Sequence, residues 1–327
     1  MEANKIIVMV GIPGSGKSYY AKKIANKEDV IILSSDSLRE ELYNDINNQE
    51  NNNIVFEELY KRTKEYLKEG KNVIIDATNI NRKRRMHIIR IFKNYKKECY
   101  YINTSLHLSK IRNKIRERVL DDEVLIRMYK QLHVPSYLEG WDKISIIYEH
   151  PNNYIALEMS NDYFAGVIKK DNISYADLFY ALLKIEDFND IYELPQDNPY
   201  HTLSVSRHTY FVYKYITDNY EREDKFIMQW AALLHDIGKG YCKNFKENSM
   251  YANFIGHENV SAQMACNILY RLNYDDEFIL KVVDLIQLHM MLLHVESDKS
   301  IEKLKKYVGE DIYKKLVIFR EADVSAK

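Results

Sequence analysis

A glycine-rich segment near the amino terminus has the residue types and spacing of a phosphate-binding loop. Residues 11–18 read Gly-Ile-Pro-Gly-Ser-Gly-Lys-Ser, follow a short apolar run and precede a segment with helical spacing. In such a loop the glycines let backbone N–H groups surround a phosphate, the lysine neutralises the β and γ phosphates, and the serine hydroxyl binds Mg²⁺. The segment therefore predicts a site for ATP and Mg²⁺ formed by Gly11, Gly14, Ser15, Gly16, Lys17 and Ser18.

An acidic residue, Asp36, follows the second strand-like run, Val30 to Leu33. The carboxyl ends of the strands are where open α/β sheets collect their ligands. An ATPase needs only water as the phosphoryl acceptor, whereas a kinase needs a base placed on an alcohol, and Asp36 suits that role. The alternative is that Asp36 caps the helix that follows, and both interpretations can hold together.

Basic residues form two clusters in the first half of the chain. One is Arg82 to Arg85 with Arg90, and the other extends from Arg112 to Arg118. Arg112 and Arg116 lie four positions apart, so a helix would present both on one face, where they would stabilise a transferring phosphoryl group. The alternative is an ordinary solvated basic face. Because the net charge is only −1, binding of nucleic acid would depend on such local clusters.

Histidines are concentrated in the second half of the chain. Six of the ten fall between His201 and His294, in a region with helical spacing. An apolar helix-like run ends there in adjacent His235 and Asp236, two side chains that can share one metal ion. The alternative is a buried histidine with ordinary hydrogen-bond partners. Lys239 would hold a phosphate oxygen, or would be an ordinary cation at a helix end.

The phosphate-loop region resembles the kinase domain of the phage polynucleotide kinase-phosphatase family. Asp36 and Arg39 match the Asp-x-x-Arg that follows the second strand in that family. The resemblance implies that Asp36 is the general base on a 5′-hydroxyl and that Arg39 grips the phosphate on the 3′ side of the terminal nucleotide. It covers residues 5–150, including residues 75–79 and a segment at 112–130 that looks like the lid of the family, whose two arginines reach over the transferred phosphate.

The histidine-rich region resembles the HD phosphohydrolase superfamily, whose ligands follow the order H…HD…D on successive helices. The resemblance implies a metal site at His208, His235, Asp236 and Asp323, with His257 and His289 completing a second one. Mixed imidazole and carboxylate ligands suit Mn²⁺, Ni²⁺, Co²⁺, Fe²⁺ or Zn²⁺, which lower the pKa of bound water. The segment from Asn198 to His201 is similar to the HD domain of tRNA nucleotidyltransferases, and His201 is a further candidate phosphate contact.

The elements that must position these residues change class near the middle of the chain. Strand-like runs alternate with helix-like segments up to about Met159, and the pattern is helical from Tyr175 almost to the end. The first pattern predicts a parallel sheet covered by helices, and the second an all-helical fold. We therefore predict an α/β P-loop kinase domain at residues 1–160 and an all-α HD domain at residues 161–327.

Composition favours a cytoplasmic enzyme without a membrane span. No run approaches the roughly 18 to 20 apolar residues that a spanning helix needs. The three cysteines are scattered and odd in number, which suits reduced thiols rather than a disulfide framework.

The two halves together predict a bifunctional enzyme that heals nucleic-acid ends. The kinase would phosphorylate 5′-hydroxyl ends of RNA or DNA with ATP, the HD domain would hydrolyse a 3′-phosphate or 2′,3′-cyclic phosphate, and a nucleic-acid ligase would be the functional partner. One alternative is that both domains act on free nucleotides, in salvage or signalling. Another is a nucleotide sensor that regulates RNA binding, although it would leave Asp36 and the HD ligands without a role.

Overall fold

The chain forms two compact units. The computed structural model describes residues 4–48, 50–116, 118–149, 160–199, 202–247, 249–295 and 297–326. Contacts within the chain divide it into Met1–Tyr154 and Ile155–Lys327. Among the described helices, none is both long enough and apolar enough to cross a membrane.

The first unit contains a parallel five-stranded sheet with the order β2-β3-β1-β4-β5. Its strands are β1 (Lys5–Val10), β2 (Val30–Ser34), β3 (Asn72–Asp76), β4 (Lys96–Thr104) and β5 (Lys143–Glu149). Every residue from Ile6 to Val10 is buried, as in a central parallel strand covered on both faces, which explains its unbroken apolar run. The predicted α/β class is confirmed. Because β2, β3 and β1 are parallel neighbours, the segments that follow them lie together at the carboxyl-terminal edge of the sheet.

The α-helices of the first unit begin at capping side chains in several places. They are α1 (Lys17–Ala25), α2 (Ser35–Tyr43), α3 (Asn52–Lys68), α4 (Arg82–Ile91), α5 (Leu106–Asn113) and α6 (Asp122–Gln131). Ser34 caps α2 by accepting a hydrogen bond from the backbone N–H of Ser37. Asp36 lies in the first turn of that helix. The capping role considered for Asp36 therefore belongs to Ser34, and the Asp36 carboxylate is available for other partners.

A buried ion pair ties α4 to the segment before β5. Arg85 is fully buried and donates two hydrogen bonds to Glu139, at 2.8 and 2.5 Å. It also donates to the carbonyl oxygens of Asn79 and Ile80, and Glu139 accepts a further bond from Trp141. Arg85 therefore holds the loop after β3 in place and is not part of an exposed basic cluster, which corrects the prediction for this residue.

The second unit is helical, as predicted. Its α-helices are α7 (Asn161–Ile168), α8 (Tyr175–Leu182), α9 (Val205–Asn219), α10 (Lys225–Leu234), α11 (Lys239–Cys242), α12 (His257–Arg271), α13 (Asp276–Leu288), α14 (Asp298–Val308) and α15 (Glu310–Ser325). A two-stranded antiparallel hairpin, β6 (Asn244–Phe245) and β7 (Ala252–Asn253), separates α11 from α12. Helix α10 packs against α9 and α13, and α9 also packs against α15. These contacts bring distant histidines together.

We expect the Arg85→Ala variant to destabilise the first unit by about 3–5 kcal/mol, because it leaves the Glu139 carboxylate buried without its cation. Arg90 is exposed on the same helix, so Arg90→Ala is the matched control and should change stability by less than about 0.5 kcal/mol. Denaturant unfolding of the full chain measures both variants. Equal effects would show that the buried pair does not stabilise α4.

Candidate active sites

The phosphate loop lies between β1 and α1 in a conformation that depends on its glycines. Gly14 and Gly16 have φ angles of 80° and 101°, a region that residues with side chains rarely adopt. A Cβ atom on Gly14 would also lie 2.3 Å from the carbonyl oxygen of Ser109. Position 14 therefore excludes any side chain for two independent reasons.

The loop is ready to receive an anion. Lys17 is buried, and its Nζ donates to the carbonyl oxygen of Ile12 at 2.8 Å. Burial lowers the pKa of Lys17 to about 8, because the ammonium group has lost much of its hydration. The buried hydroxyl of Ser15 has no hydrogen-bond partner among the described residues. Phosphate oxygens would satisfy both groups, so the residues present fit the phosphates of a nucleotide.

The segment after β3 is held directly against this loop. The backbone N–H of Gly11 donates to the carbonyl oxygen of Thr78 at 3.0 Å, and the side-chain amide of Asn79 donates to Met9 at 2.9 Å. Asp76 ends β3, is buried, and lines the same cleft as Lys17. Its carboxylate lies in the cleft with the Ser18 side chain, and the two could supply oxygen ligands to Mg²⁺.

Asp36 faces the same cleft and is surrounded by arginines. Its Oδ1 accepts hydrogen bonds from Arg39 at 2.7 Å and from Arg118 at 3.1 Å, and its Oδ2 lies 3.9 Å from Arg116. Arg39 also donates to the side chain of Asn52 at 2.7 Å. The predicted base, Asp36, and the predicted phosphate ligand, Arg39, are thus in direct contact. Arg118 belongs to the predicted basic cluster, but its contact with Asp36 was not predicted, because its spacing from Arg112 and Arg116 fits no helical face.

The two arginines predicted to share a helix face do not do so. Helix α5 ends at Asn113, so Arg116 lies beyond it. Arg112 donates to the carbonyl oxygen of Ser15 at 3.3 Å and to Glu149 at 2.6 Å. Arg112 therefore lies against the outside of the phosphate loop, whereas Arg116 lies near Asp36. The prediction of a shared face is wrong, and the catalytic roles of both residues stay predictions.

The first group of candidate metal ligands lies where α9, α10 and α15 meet. His208 is in the first turn of α9, His235 and Asp236 follow α10, and Asp323 is in the last turn of α15. The Nε2 of His208 lies 3.4 Å from the Nε2 of His235, 3.5 Å from Asp236 Oδ2 and 3.3 Å from Asp323 Oδ1. The fold thus brings these four residues together from three separate segments.

A second group shares Asp236 with the first. His257 begins α12 and His289 follows α13, and the Nε2 of His257 lies 3.3 Å from Asp236 Oδ1. Ligand atoms of Asp236, His257 and His289 lie within 4.8 Å of one another, and so do those of His208, His235 and Asp236. One carboxylate can therefore serve two neighbouring metal positions through its two oxygens.

The four histidines are oriented as metal ligands usually are. Each Nδ1–H donates to a backbone carbonyl oxygen: His208 to Ala326 at 2.9 Å, His235 to Ala232 at 2.8 Å, His257 to Phe254 at 2.9 Å and His289 to Ile286 at 2.6 Å. Because a carbonyl oxygen only accepts, each ring donates through Nδ1 and directs its Nε2 into the site. Burial, with His235 and His257 nearby, lowers the pKa of His289 to about 3, so its ring is neutral as a ligand must be.

Asp236 and Lys239 form the charged centre of this site. Burial would raise the pKa of Asp236, but His235 and Lys239 hold it well below its usual value. Lys239 Nζ lies 2.7 Å from Asp236 Oδ2, an atom that lacks a hydrogen-bond partner of good geometry, and donates to Gln196 Oε1 at 2.8 Å. An ion would satisfy this buried oxygen, so the residues fit a metal. Sequence reasoning missed Gln196, and His201 lies outside the described residues.

We expect the Gly14→Ala variant to lower affinity for ATP at least tenfold, because its Cβ would displace the loop from Ser109. Gly70 has a similar φ of 86° but open space around it, so Gly70→Ala isolates backbone strain, about 1–2 kcal/mol. Titration calorimetry with ATP and thermal unfolding measure the two variants. Unchanged ATP affinity in Gly14→Ala would contradict a phosphate-binding role for the loop.

We expect the second unit to bind two Mn²⁺ ions per chain, and the Asp236→Ala variant to bind none, because Asp236 belongs to both ligand groups. His289→Ala should retain one ion. His87→Ala alters an exposed histidine of the first unit and should leave binding unchanged. Equilibrium dialysis followed by elemental analysis gives the stoichiometry. Two ions in Asp236→Ala would rule out the shared carboxylate.

Two different family models match the first and the second half of the chain. A model of the AAA domain matches residues 6–135 and a model of the HD domain matches residues 200–326. No curated protein matches the chain by sequence.

Similar solved structures cover only part of the chain. A chain of the Pnkp1/Rnl/Hen1 RNA repair complex is 21% identical over 40% of this chain and 45% of that chain, with a TM-score of 0.37. A second structure of the Pnkp1/Rnl/Hen1 complex is 20% identical over 37% and 42%, with a TM-score of 0.33. A gluconokinase from Sinorhizobium meliloti 1021 is 16% identical over 46% of this chain and 86% of its own, with a TM-score of 0.36. This chain thus spans less than half the length of the two repair-complex chains. The chain thus has a phosphate loop within a region that matches the AAA domain model, followed by a histidine-rich helical region that matches the HD domain model.

Proposed function

We propose that this protein heals nucleic-acid ends, with the first unit phosphorylating 5′-hydroxyl ends and the second hydrolysing 3′-phosphate or 2′,3′-cyclic phosphate ends. The observation that carries the proposal is the position of Asp36. Its carboxylate lines one cleft of about 300 Å³ with Lys17 and Ser18, and arginines surround it. A carboxylate base beside a phosphate loop serves transfer to an alcohol, and cations beside that base favour an alcohol that carries phosphate.

Residues of the first unit have distinct roles in the proposed kinase reaction. Lys17 and the loop N–H groups hold the phosphates of ATP, and Ser18 with Asp76 would hold Mg²⁺, which would neutralise phosphate charge. Asp36 takes the proton of the 5′-hydroxyl while the hydroxyl oxygen forms a bond to the γ phosphorus. The bond from that phosphorus to the bridging oxygen breaks, and ADP leaves. Arg116 is near enough to Asp36 to stabilise charge on the transferring group.

The residues of the second unit are arranged for hydrolysis of a phosphoester. A divalent ion held by these residues would supply a water of lowered pKa and would polarise the phosphoryl group. Asp236 and the four histidines offer the ligand atoms. Backbone carbonyl oxygens fix the orientation of the four rings by accepting from Nδ1. Lys239 is the cation beside this centre and would hold a phosphate oxygen. Gln196 orients Lys239, because it accepts a hydrogen bond from Nζ.

The two activities have complementary products. Cleavage of RNA by ribonucleases commonly leaves a 5′-hydroxyl and a 2′,3′-cyclic phosphate, neither of which can be joined directly. Phosphorylation of one end yields a 5′-phosphate. At the other end one hydrolysis opens the cyclic phosphate to a phosphomonoester, and a second releases inorganic phosphate and leaves a 3′-hydroxyl. These are the ends that a nucleic-acid ligase joins, so we propose a ligase as the functional partner.

The test is end analysis of a short RNA with 5′-hydroxyl and 2′,3′-cyclic phosphate termini, incubated with ATP, Mg²⁺ and Mn²⁺. We expect Asp36→Asn to slow 5′ phosphorylation by about 10²- to 10⁴-fold, the usual contribution of a general base, and to spare the 3′ end. Asp236→Asn should abolish the change at the 3′ end and spare the 5′ end.

Two exposed carboxylates supply the controls. Asp29→Asn in the first unit and Asp218→Asn in the second remove surface charges and should alter neither end. If the wild-type protein leaves both RNA ends unchanged but consumes mononucleotides, the free-nucleotide function replaces this proposal.

A further inference from the structure

The arginines around Asp36 differ in how firmly they are held. Arg39 is on the same helix as Asp36, its side chain is 4% exposed, and it is fixed by Asn52 as well. Arg118 comes from the segment between α5 and α6, its side chain is 13% exposed, and it contacts Asp36 through Nη1 at 3.1 Å. Arg39 is therefore built into the site, whereas Arg118 reaches it from a separate segment.

This group of arginines has more donors than Asp36 can use. The Nε atoms of Arg39 and Arg118 and the Nη1 atom of Arg116 are buried and have no hydrogen-bond partner among the described residues. A buried donor without an acceptor costs about 1–3 kcal/mol, and more when it is charged. Three such atoms in neighbouring guanidinium groups therefore indicate that a further acceptor belongs there.

The charge of the cleft identifies that acceptor as an anion. Five cationic side chains line the cleft against two carboxylates: Lys17, Arg39, Arg84, Arg116 and Arg118 against Asp36 and Asp76. A phosphate group offers several oxygens to guanidinium forks, with which it forms short, paired hydrogen bonds. A phosphate beside Asp36 would thus compete with the carboxylate for the same arginines.

We propose that Arg118 is a specificity-determining residue: when it binds a phosphate of the acceptor, it leaves Asp36, the catalytic base. Resting on the kinase function proposed above, the inference is that the first backbone phosphate of the acceptor draws Arg118 from Asp36. The carboxylate then keeps its contact with Arg39 and, with one guanidinium fewer on Oδ1, is a stronger base for the 5′-hydroxyl proton. An acceptor with a neutral linkage leaves Arg118 on Asp36 and reacts slowly.

The test compares two acceptors that differ by one charge: a 5′-hydroxyl dinucleotide with a phosphodiester linkage, and the same dinucleotide with a neutral methylphosphonate linkage. We expect the wild-type protein to favour the diester. Arg118→Gln should reduce the ratio of the two kcat/KM values about 10- to 100-fold, the equivalent of one hydrogen bond to a charged group. The diester should lose efficiency, while the neutral acceptor should be unchanged or react faster.

Two further variants separate specificity from structural damage. Lys64→Gln removes an exposed cation from helix α3, away from the cleft, and should leave the ratio unchanged. Arg118→Lys keeps the charge and should restore part of the preference. The Kd of each dinucleotide, measured in the presence of ADP and Mg²⁺, gives a second readout if turnover of the neutral acceptor is too slow to measure.

The outcomes distinguish this inference from the function on which it rests. If Arg118→Gln weakens both acceptors equally, or neither, Arg118 does not read the acceptor phosphate and the inference is overturned, whereas the kinase function stands. If the wild-type protein phosphorylates no 5′-hydroxyl dinucleotide or longer oligonucleotide, the proposed kinase function fails and the inference fails with it.

Discussion

A charged side chain that leaves water needs partners of opposite charge, and both candidate sites depend on this constraint. In the first unit the guanidinium groups of Arg39 and Arg118, which are largely buried and come from two separate segments, pair with Asp36. In the second unit Asp236 is buried among imidazole rings and Lys239. Each carboxylate thereby joins parts of the chain that are distant in sequence. Each site can also bind a ligand through the same charges: a phosphate could replace Asp36 on an arginine, and a metal ion could replace Lys239 on Asp236.

The reactions proposed for the two units require different arrangements of residues. Transfer to an alcohol requires a base beside a phosphate loop, and a parallel sheet provides this because neighbouring strands end at the same edge. Hydrolysis requires several ligands at one point, and a helical bundle provides this because helix ends from many segments converge. The histidines here lie at or near helix ends, where backbone carbonyl oxygens remain free to accept their Nδ1 protons. Each fold class therefore suits the chemistry of its own unit.

The sequence by itself determined the fold classes and much of both sites. The glycine pattern at residues 11–18 predicts its own conformation, because only residues without a side chain adopt the backbone angles at Gly14 and Gly16. The predicted histidines His208, His235, His257 and His289 also come together with Asp236 and Asp323. These residues could be named in advance because periodicity marks an element and few residue types bind metals, and their role as metal ligands stays a prediction.

Only the tertiary structure decided which charged side chains meet. Arg85 belongs to a basic run in the sequence, but its burial against Glu139 makes it a support for the loop after β3. Arg112 and Arg116 have helical spacing, but α5 ends between them, so one contacts the phosphate loop and the other approaches Asp36. The partners of these arginines come from segments far along the chain. An ion pair depends on distance in space, which the order of residues does not contain.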